Sequence, residues 1–307
     1  MSADPAAGRS AADPLVHAVT AHWDEAVDPA IRVAARRLAE RYPGTAAVVF
    51  YGSCRRTGRI DGQMLDFYVL VDAMGAALPG RRGQALGARL VPPNVYYFES
   101  DETGRTVRAK VAVMTLAAFV ARCRARGWDT SIWARFCQPC QPVWLRDEAA
   151  RTTLAQACAT AVCTMLAETM ALAAERSAAA LWSNAFTWSY GAEFRAERPG
   201  WRMAFYEQDR AYYDRITPPA LDRLGADAMA AARARRRWRR RAVTGRLLGI
   251  ARLMKAAATF DGGLDYLAWK LERHSGVAVE ITPAMRRRPL RAGVRLFIRL
   301  RRRGAFR

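Results

Sequence analysis

The period of hydrophobic and polar positions changes along the chain, and these changes predict its secondary structure. Asp13-Pro14 and Asp28-Pro29 each place a helix-capping aspartate before a proline at the first helical position. The first helix is predicted to run to about Asp28, and the second, with apolar residues at helical spacing, to stop at Pro43-Gly44. Residues 1–12 are small and polar, which predicts disorder.

Strand patterns follow these two helices. Residues 45–51 and 64–72 are β-rich runs that flank a Gly- and Arg-rich loop, GSCRRTGRIDGQ. Residues 94–99 and 106–114 flank a short polar stretch ending in Gly104, which predicts a β-hairpin. The first half of the chain is therefore predicted to contain a sheet with flanking helices.

The second half is Ala-rich and favours helix, chiefly over residues 148–184 and 218–241. The last residues, 286–307, interleave arginine with large apolar residues at roughly helical spacing, which predicts a basic amphipathic tail. We therefore expect an α+β protein with an α/β domain over 13–146, a mainly α-helical domain over 147–285, and this tail.

The charge narrows the classes of partner. The 307 residues include 49 Lys and Arg against 28 Asp and Glu, a net charge of +21, which favours nucleic acid, nucleotide phosphates or an anionic membrane surface. Charged residues interrupt the apolar runs before the roughly 20 residues that span a bilayer, so membrane contact is expected to be peripheral. The N-terminal residues lack the apolar stretch of a signal peptide, which predicts a cytoplasmic location.

Candidate chemistry is concentrated around the first two predicted strands. Gly52-Ser53 ends the first strand, where a glycine lets the backbone approach a triphosphate and the serine donates to phosphate oxygens. Asp66 lies on the next strand, and a carboxylate there suits Mg²⁺, which prefers oxygen ligands and bridges phosphates. Arginines of the intervening loop offer further phosphate contacts: Arg55, Arg56 and Arg59. Nucleotidyl transfer requires such a layout.

The second metal ligand is not evident. Polymerase-like nucleotidyltransferases carry a second carboxylate two positions after the first, on the same strand face. Here that position is Tyr68, and Asp72 on the same face is about 20 Å from Asp66 at ~3.3 Å per residue. Cys137 and Cys140 form a zinc-like pair, but no second pair or suitably spaced histidine accompanies them.

The stretch from residue 48 to residue 72, VVFYGSCRRTGRIDGQMLDFYVLVD, resembles the signature of a family. This family comprises the phosphatidate cytidylyltransferases related to the mitochondrial translocator assembly and maintenance protein. Its members carry Tyr-Gly-Ser, a variable loop and a Leu-Asp-Phe strand that ends in Val-Asp and has a single aspartate at the site position. Similar segments follow in the same order, at residues 94–97, 110–115, 188–195 (WSYGAEFR) and 255–259.

The resemblance implies the Mg²⁺-dependent reaction of CTP with phosphatidic acid, giving CDP-diacylglycerol and pyrophosphate for phospholipid biosynthesis. It implies a nucleotidyltransferase-like mixed sheet domain followed by a mainly α-helical domain, with the site between them at the inner face of the membrane. Asp66 would hold the metal, and Glu193, which replaces the family's aspartate, would share the catalytic site. The nucleotide-binding residues it implies are Gly52, Ser53, Lys110 and Arg195.

Two other classes of protein remain open on this sequence. A nucleotidyltransferase could use the same residues on a different phosphorylated or hydroxyl acceptor. A nucleic-acid-binding protein could use the arginines for phosphate contacts, but base stacking needs aromatic residues among the basic runs. Those runs, at 233–241 and 286–303, contain only Trp238 and Phe297, so nucleic acid is not the expected partner.

Overall fold

The computed structural model describes residues 13–90, 92–101, 104–125, 129–192, 201–225 and 230–259, together with Thr282. Within these residues the protein is a mixed α+β structure built around a five-stranded sheet. The N-terminal residues 1–12 and the tail over 286–307, for which the sequence predicts disorder and an amphipathic helix, lie outside the described residues.

The elements follow one another in chain order. The strands are β1 (Thr45–Tyr51), β2 (Met64–Val71), β3 (Asn94–Ser100), β4 (Val107–Thr115) and β5 (Gln141–Leu145). The helices are α1 (Pro14–Thr20), α2 (Pro29–Arg41), α3 (Ser53–Thr57), α4 (Met74–Ala77), α5 (Arg82–Leu90), α6 (Leu116–Arg122), α7 (Trp133–Phe136), α8 (Glu148–Thr169), α9 (Ala178–Ala192), α10 (Trp201–Gln208), α11 (Arg210–Leu224) and α12 (Ala231–Thr259). A 3₁₀ turn, Met170–Leu172, follows α8.

The sheet has the strand order β3-β4-β2-β1-β5. β2 and β4 are parallel, and the other neighbouring pairs are antiparallel. The prediction that residues 94–99 and 106–114 pair as a hairpin is confirmed, because β3 and β4 are antiparallel neighbours. β2 lies at the centre, and a charged residue on it is therefore placed in the interior of the sheet.

Side chains alternate between two hydrophobic cores along the central strand. Phe67 and Val69 belong to the core formed with α2 and α4. Tyr68 and Leu70 belong to a larger core that includes residues of α1, α8, α9 and α11. Asp66 lies two residues before Tyr68 on β2 and therefore shares its face, the one covered by the helices of the second half.

Two predicted helix boundaries are wrong. α1 ends at Thr20 instead of near Asp28, because the chain turns there and buries His22 and Trp23 in the core. The helix predicted over 148–184 is two helices, α8 and α9, separated by the 3₁₀ turn. The break lets α9 fold back against α8 and bury Trp182, which one continuous helix would not achieve.

The helix predicted over 218–241 is also wrong. It combines the end of α11 with the start of α12, and Pro218 and Pro219 lie inside α11. Strand β5 is not among the predicted strands. It contains Pro142, and as an edge strand it tolerates the loss of one ladder hydrogen bond. The loop between β1 and β2 contains the short helix α3.

The expectation that charged residues interrupt every apolar run of membrane-spanning length is wrong for one helical segment. Glu148–Leu172 is long and apolar enough to cross a bilayer by length and composition, so charge does not interrupt every such run. In the fold, 72% of its apolar window is buried. Its small and apolar residues contact neighbouring helices, which is the usual environment of a core helix.

The basic helix α12 is anchored to α8 through a buried ion pair. Arg241 is 1% exposed, and its Nη1 donates to Glu168 Oε2 at 2.7 Å, while Arg237 Nη2 lies 2.8 Å from Glu168 Oε1. The Arg241 guanidinium also lies 5.3 Å from the Trp133 ring and 5.1 Å from the Trp238 ring. One face of α12 is thus part of the core, although its sequence predicts solvated arginines on nearly every side.

Candidate active site

Three side chains that could contact a ligand lie in one row across the sheet. Tyr51 on β1 is the register partner of Asp66 on β2, and Asp66 is the partner of Lys110 on β4. Register partners on neighbouring strands project from the same face, so the row faces the helices of the second half. Asp66 is half-buried and Lys110 is exposed, which leaves both groups accessible to a ligand.

A cavity of about 530 Å³ lies over this row. Its sheet side includes Tyr51, Asp66 and Lys110, together with Gly52 and Ser53 from the β1–α3 junction. The opposite side is formed by residues of α7, α9 and α10 and the segment after α7: Ala134, Arg135, Gln138, Pro139, Ser189, Tyr190, Phe205 and Gln208. The predicted site residues Gly52, Ser53, Asp66 and Lys110 therefore meet at one cavity, whereas Glu193 and Arg195 lie outside the described residues.

The junction between β1 and α3 requires glycine. Gly52 has φ 88° and ψ −162°, a conformation that is essentially restricted to glycine. A Cβ atom at this position would lie 2.8 Å from Asp66 Oδ2, closer than van der Waals contact allows. The backbone of Gly52 therefore lies directly against the carboxylate of Asp66, and no larger residue fits without moving it.

The loop arginines have different environments. Arg55 Nη1 lies 3.1 Å from Asp209 Oδ1 in a largely buried pair, and burial raises the pKa of Asp209 although Arg55 and Arg56 oppose the rise. The Arg56 guanidinium lies 4.4 Å from the Phe205 ring centroid, and its Nη1 donates to Gln138 Oε1 at 3.4 Å. Arg59 is exposed and is not among the residues that line the cavity. Of the three, Arg56 is the one that lines the cavity wall.

The position of the usual second carboxylate has a different chemistry here. Tyr68 is 2% exposed, and burial raises the pKa of its hydroxyl, so the phenol is neutral. Its oxygen accepts a hydrogen bond from Arg135 Nη1 at 3.3 Å. Sequence reasoning missed Arg135, because nothing in the segment IWARF relates it to a residue 67 positions earlier.

The described residues contain no group of three or more His, Cys, Asp or Glu side chains that could hold a metal ion. Asp66 is the acidic residue among the described side chains that line the cavity. Mg²⁺ is commonly bound through one or two carboxylates together with substrate phosphates and water, so one carboxylate beside a phosphate site suits it. Cys137 and Cys140 are buried thiols in the core, and Cys140 Sγ lies 3.8 Å from Cys158 Sγ.

Comparisons with protein families and with curated proteins find no match to this chain.

Proposed function

We propose that the protein is a Mg²⁺-dependent nucleotidyltransferase of nucleotidyltransferase-like fold, and that it is a phosphatidate cytidylyltransferase. The observation that carries this proposal is the meeting of Gly52, Ser53, Asp66 and Lys110 at one cavity. A metal-bound triphosphate needs several groups within reach of one another. They are a glycine that lies against a carboxylate, a serine, and a lysine.

The residues of the cavity have distinct roles in this proposal. Ser53 and the backbone beside Gly52 donate to triphosphate oxygens, Asp66 holds Mg²⁺, and Lys110 offsets negative charge. Held by Asp66, the metal ion would supply positive charge that offsets the negative charge on the leaving pyrophosphate. The acceptor phosphate is already ionised at neutral pH, so positioning and charge neutralisation account for most of the catalysis.

The choice of CTP and phosphatidic acid rests on the resemblance to the cytidylyltransferase family. The surface of α12 supports an anionic lipid surface as partner. Its exposed residues include Arg233, Arg235, Arg236, Arg239 and Arg240. Two exposed apolar residues, Val243 and Leu247, follow at helical spacing and lie on the same face of α12 as Arg236 and Arg240. We therefore propose a cytoplasmic protein that binds peripherally to the inner face of a membrane.

A nucleotidyltransferase with another acceptor would use the same nucleotide site and is the second candidate. A nucleic-acid-binding function has less support, because Trp238, the aromatic residue of the first basic run, is 1% exposed and packs against Trp133. That ring is not available to stack on a base.

The test is a transfer assay with purified full-length protein, Mg²⁺ and nucleotides labelled at the α-phosphate. CTP, ATP, GTP and UTP are each offered with phosphatidic acid vesicles, with phosphatidylcholine vesicles and without lipid. We expect labelled CDP-diacylglycerol only in the reaction of CTP with phosphatidic acid vesicles. No labelled product is expected when EDTA is added. Transfer from CTP to another acceptor would favour the second candidate. Thermal shifts measured with Mg²⁺ and each of the four nucleotides report binding, and no shift with any of them would contradict both candidates.

A further inference from the structure

Arg135 contacts the two neighbours of Asp66 on the sheet. Its Nη1 donates to the hydroxyl of Tyr68, two residues along β2, at 3.3 Å. Its guanidinium carbon lies 5.7 Å from the ring centroid of Tyr51, the cross-strand partner of Asp66. These two contacts place the guanidinium over the face that carries Asp66, and Arg135 lines the same cavity.

The segment that carries Arg135 is held by further contacts. Arg135 Nη1 also donates to the backbone oxygen of Ser131 at 3.1 Å. Ser131 donates to Asp129, whose second oxygen accepts from Arg252 of α12 at 2.6 Å. Burial raises the pKa of Asp129, but the Arg252 charge and the Ser131 hydrogen bonds outweigh it, so the net pKa is lowered and the carboxylate is ionised. The guanidinium is thus held against Tyr68, Tyr51 and the backbone of Ser131.

A fixed cation at this place has a chemical consequence. In a two-metal site, the second carboxylate helps to hold a second ion that neutralises charge on the transferring phosphate. Here that strand position is occupied by neutral Tyr68, which holds a permanently charged arginine instead. A guanidinium presents several N–H donors in a plane and matches phosphate oxygens geometrically.

We propose that Arg135 is a phosphate-binding residue that replaces the second metal ion, so that the site works with one Mg²⁺ at Asp66. This inference rests on the proposed function. In the transfer step, an acceptor phosphate oxygen forms a bond to the α-phosphorus while the bond from that phosphorus to the bridging oxygen breaks. Pyrophosphate leaves with the electron pair, and Arg135 binds the non-bridging oxygens on which negative charge is concentrated.

The first test is the binding of CTP in EDTA, measured by calorimetry on the full chain. Wild-type protein is expected to retain binding without metal, and Arg135→Gln to weaken it at least tenfold. Arg135→Lys, which keeps the charge and loses the planar donors, is expected to lie between them. Arg176→Gln is the matched control, because Arg176 is exposed and does not line the cavity.

Two further measurements separate phosphate binding from a structural role. Tyr68→Phe removes the hydrogen-bond acceptor while keeping the ring, and we expect it to lower kcat/KM less than Arg135→Gln does. Mn²⁺ binding in the presence of CTP, followed by electron paramagnetic resonance, is expected to saturate at one ion per chain. Unchanged CTP binding by folded Arg135→Gln, or two bound ions, would overturn the inference and leave the proposed function standing. A wild-type protein that binds none of the four nucleotides, with or without Mg²⁺, would overturn both.

Discussion

Replacing Gly52 with alanine perturbs the candidate site at its tightest contact. The new Cβ would lie 2.8 Å from Asp66 Oδ2 and 3.4 Å from Asp66 Cβ, so the carboxylate has to move by several tenths of an ångström. The backbone at Gly52, with φ 88° and ψ −162°, adds strain for any residue with a side chain. The substitution therefore displaces Asp66 without removing a functional group.

The expected effects on stability and on activity differ in size. Backbone strain of this kind costs about 1–3 kcal/mol, which for a chain of this length lowers Tm by about 2–5 °C. Misplacement of a catalytic group can cost about 100-fold in rate. Gly52→Ala should therefore yield a folded protein with about 100-fold lower turnover of CTP.

Gly58→Ala is the matched control on the same loop. Gly58 also has a positive φ of 66°, but a Cβ there would meet no atom within 4 Å. We expect Gly58→Ala to lower the free energy of unfolding by about 1–2 kcal/mol through backbone strain and to leave turnover unchanged. Thermal unfolding and transfer rates are measured on both variants. Equal loss of activity in the two, or normal activity in Gly52→Ala, would refute the assignment of the Gly52–Asp66 contact to the site.

Three further predictions concern stability and surface charge. Burial, and then the charge of Arg55, lowers the pKa of His22 from 6.5 to about 4. The folded protein therefore keeps a neutral imidazole where the unfolded chain binds a proton, so the free energy of unfolding is highest above pH 6.5 and falls as the pH drops toward 4. Between pH 7.5 and pH 5 the wild type should lose about 2 kcal/mol more of its free energy of unfolding than His22→Gln in denaturant titrations, and equal losses would contradict the burial of a neutral imidazole. Glu168→Ala leaves a buried arginine unpaired and should lower that free energy by about 3–5 kcal/mol in the same titrations; a loss below 1 kcal/mol would be inconsistent with the ion pair. Arg236→Glu/Arg240→Glu should weaken co-sedimentation with anionic vesicles, by roughly 1 kcal/mol or more per position, and unchanged binding would remove α12 from the membrane surface.

Much of the sheet could be predicted because its signals are local. The run TAAVVFY gives β1 with the bounds expected, and Asp28-Pro29 begins α2 as its capping pattern indicates. Such signals depend on propensity and on period within a few residues. Strand β5 could not be predicted in this way. Pro142 is acceptable there because β5 is at the sheet edge, and the strand order is a property of the whole fold.

The candidate site likewise contains residues that local sequence signals predict and residues that only the packing of the fold brings there. Gly52, Ser53 and Asp66 are close in sequence and belong to a recognisable strand–loop–strand pattern, so their meeting could be expected. Arg135 could not, because its relation to Tyr68 arises from the packing of α7 over the sheet. The same holds for Phe205, which reaches Arg56 from a helix about 150 positions later.

The central claim is that Asp66 is the metal-binding carboxylate of a nucleotidyltransferase, and the most direct measurement compares Asp66→Asn with Asp72→Asn. Asp72 directly follows the same strand, is exposed and pairs with Arg146 at 2.6 Å, so its amide variant loses only a surface ion pair. At saturating CTP and Mg²⁺ with phosphatidic acid vesicles, we predict that Asp66→Asn lowers turnover by about 100-fold or more, because an amide is a poor substitute for a carboxylate as a Mg²⁺ ligand, and that Asp72→Asn keeps the wild-type rate. Near-wild-type turnover by Asp66→Asn, or equal losses in the two variants, would contradict the claim.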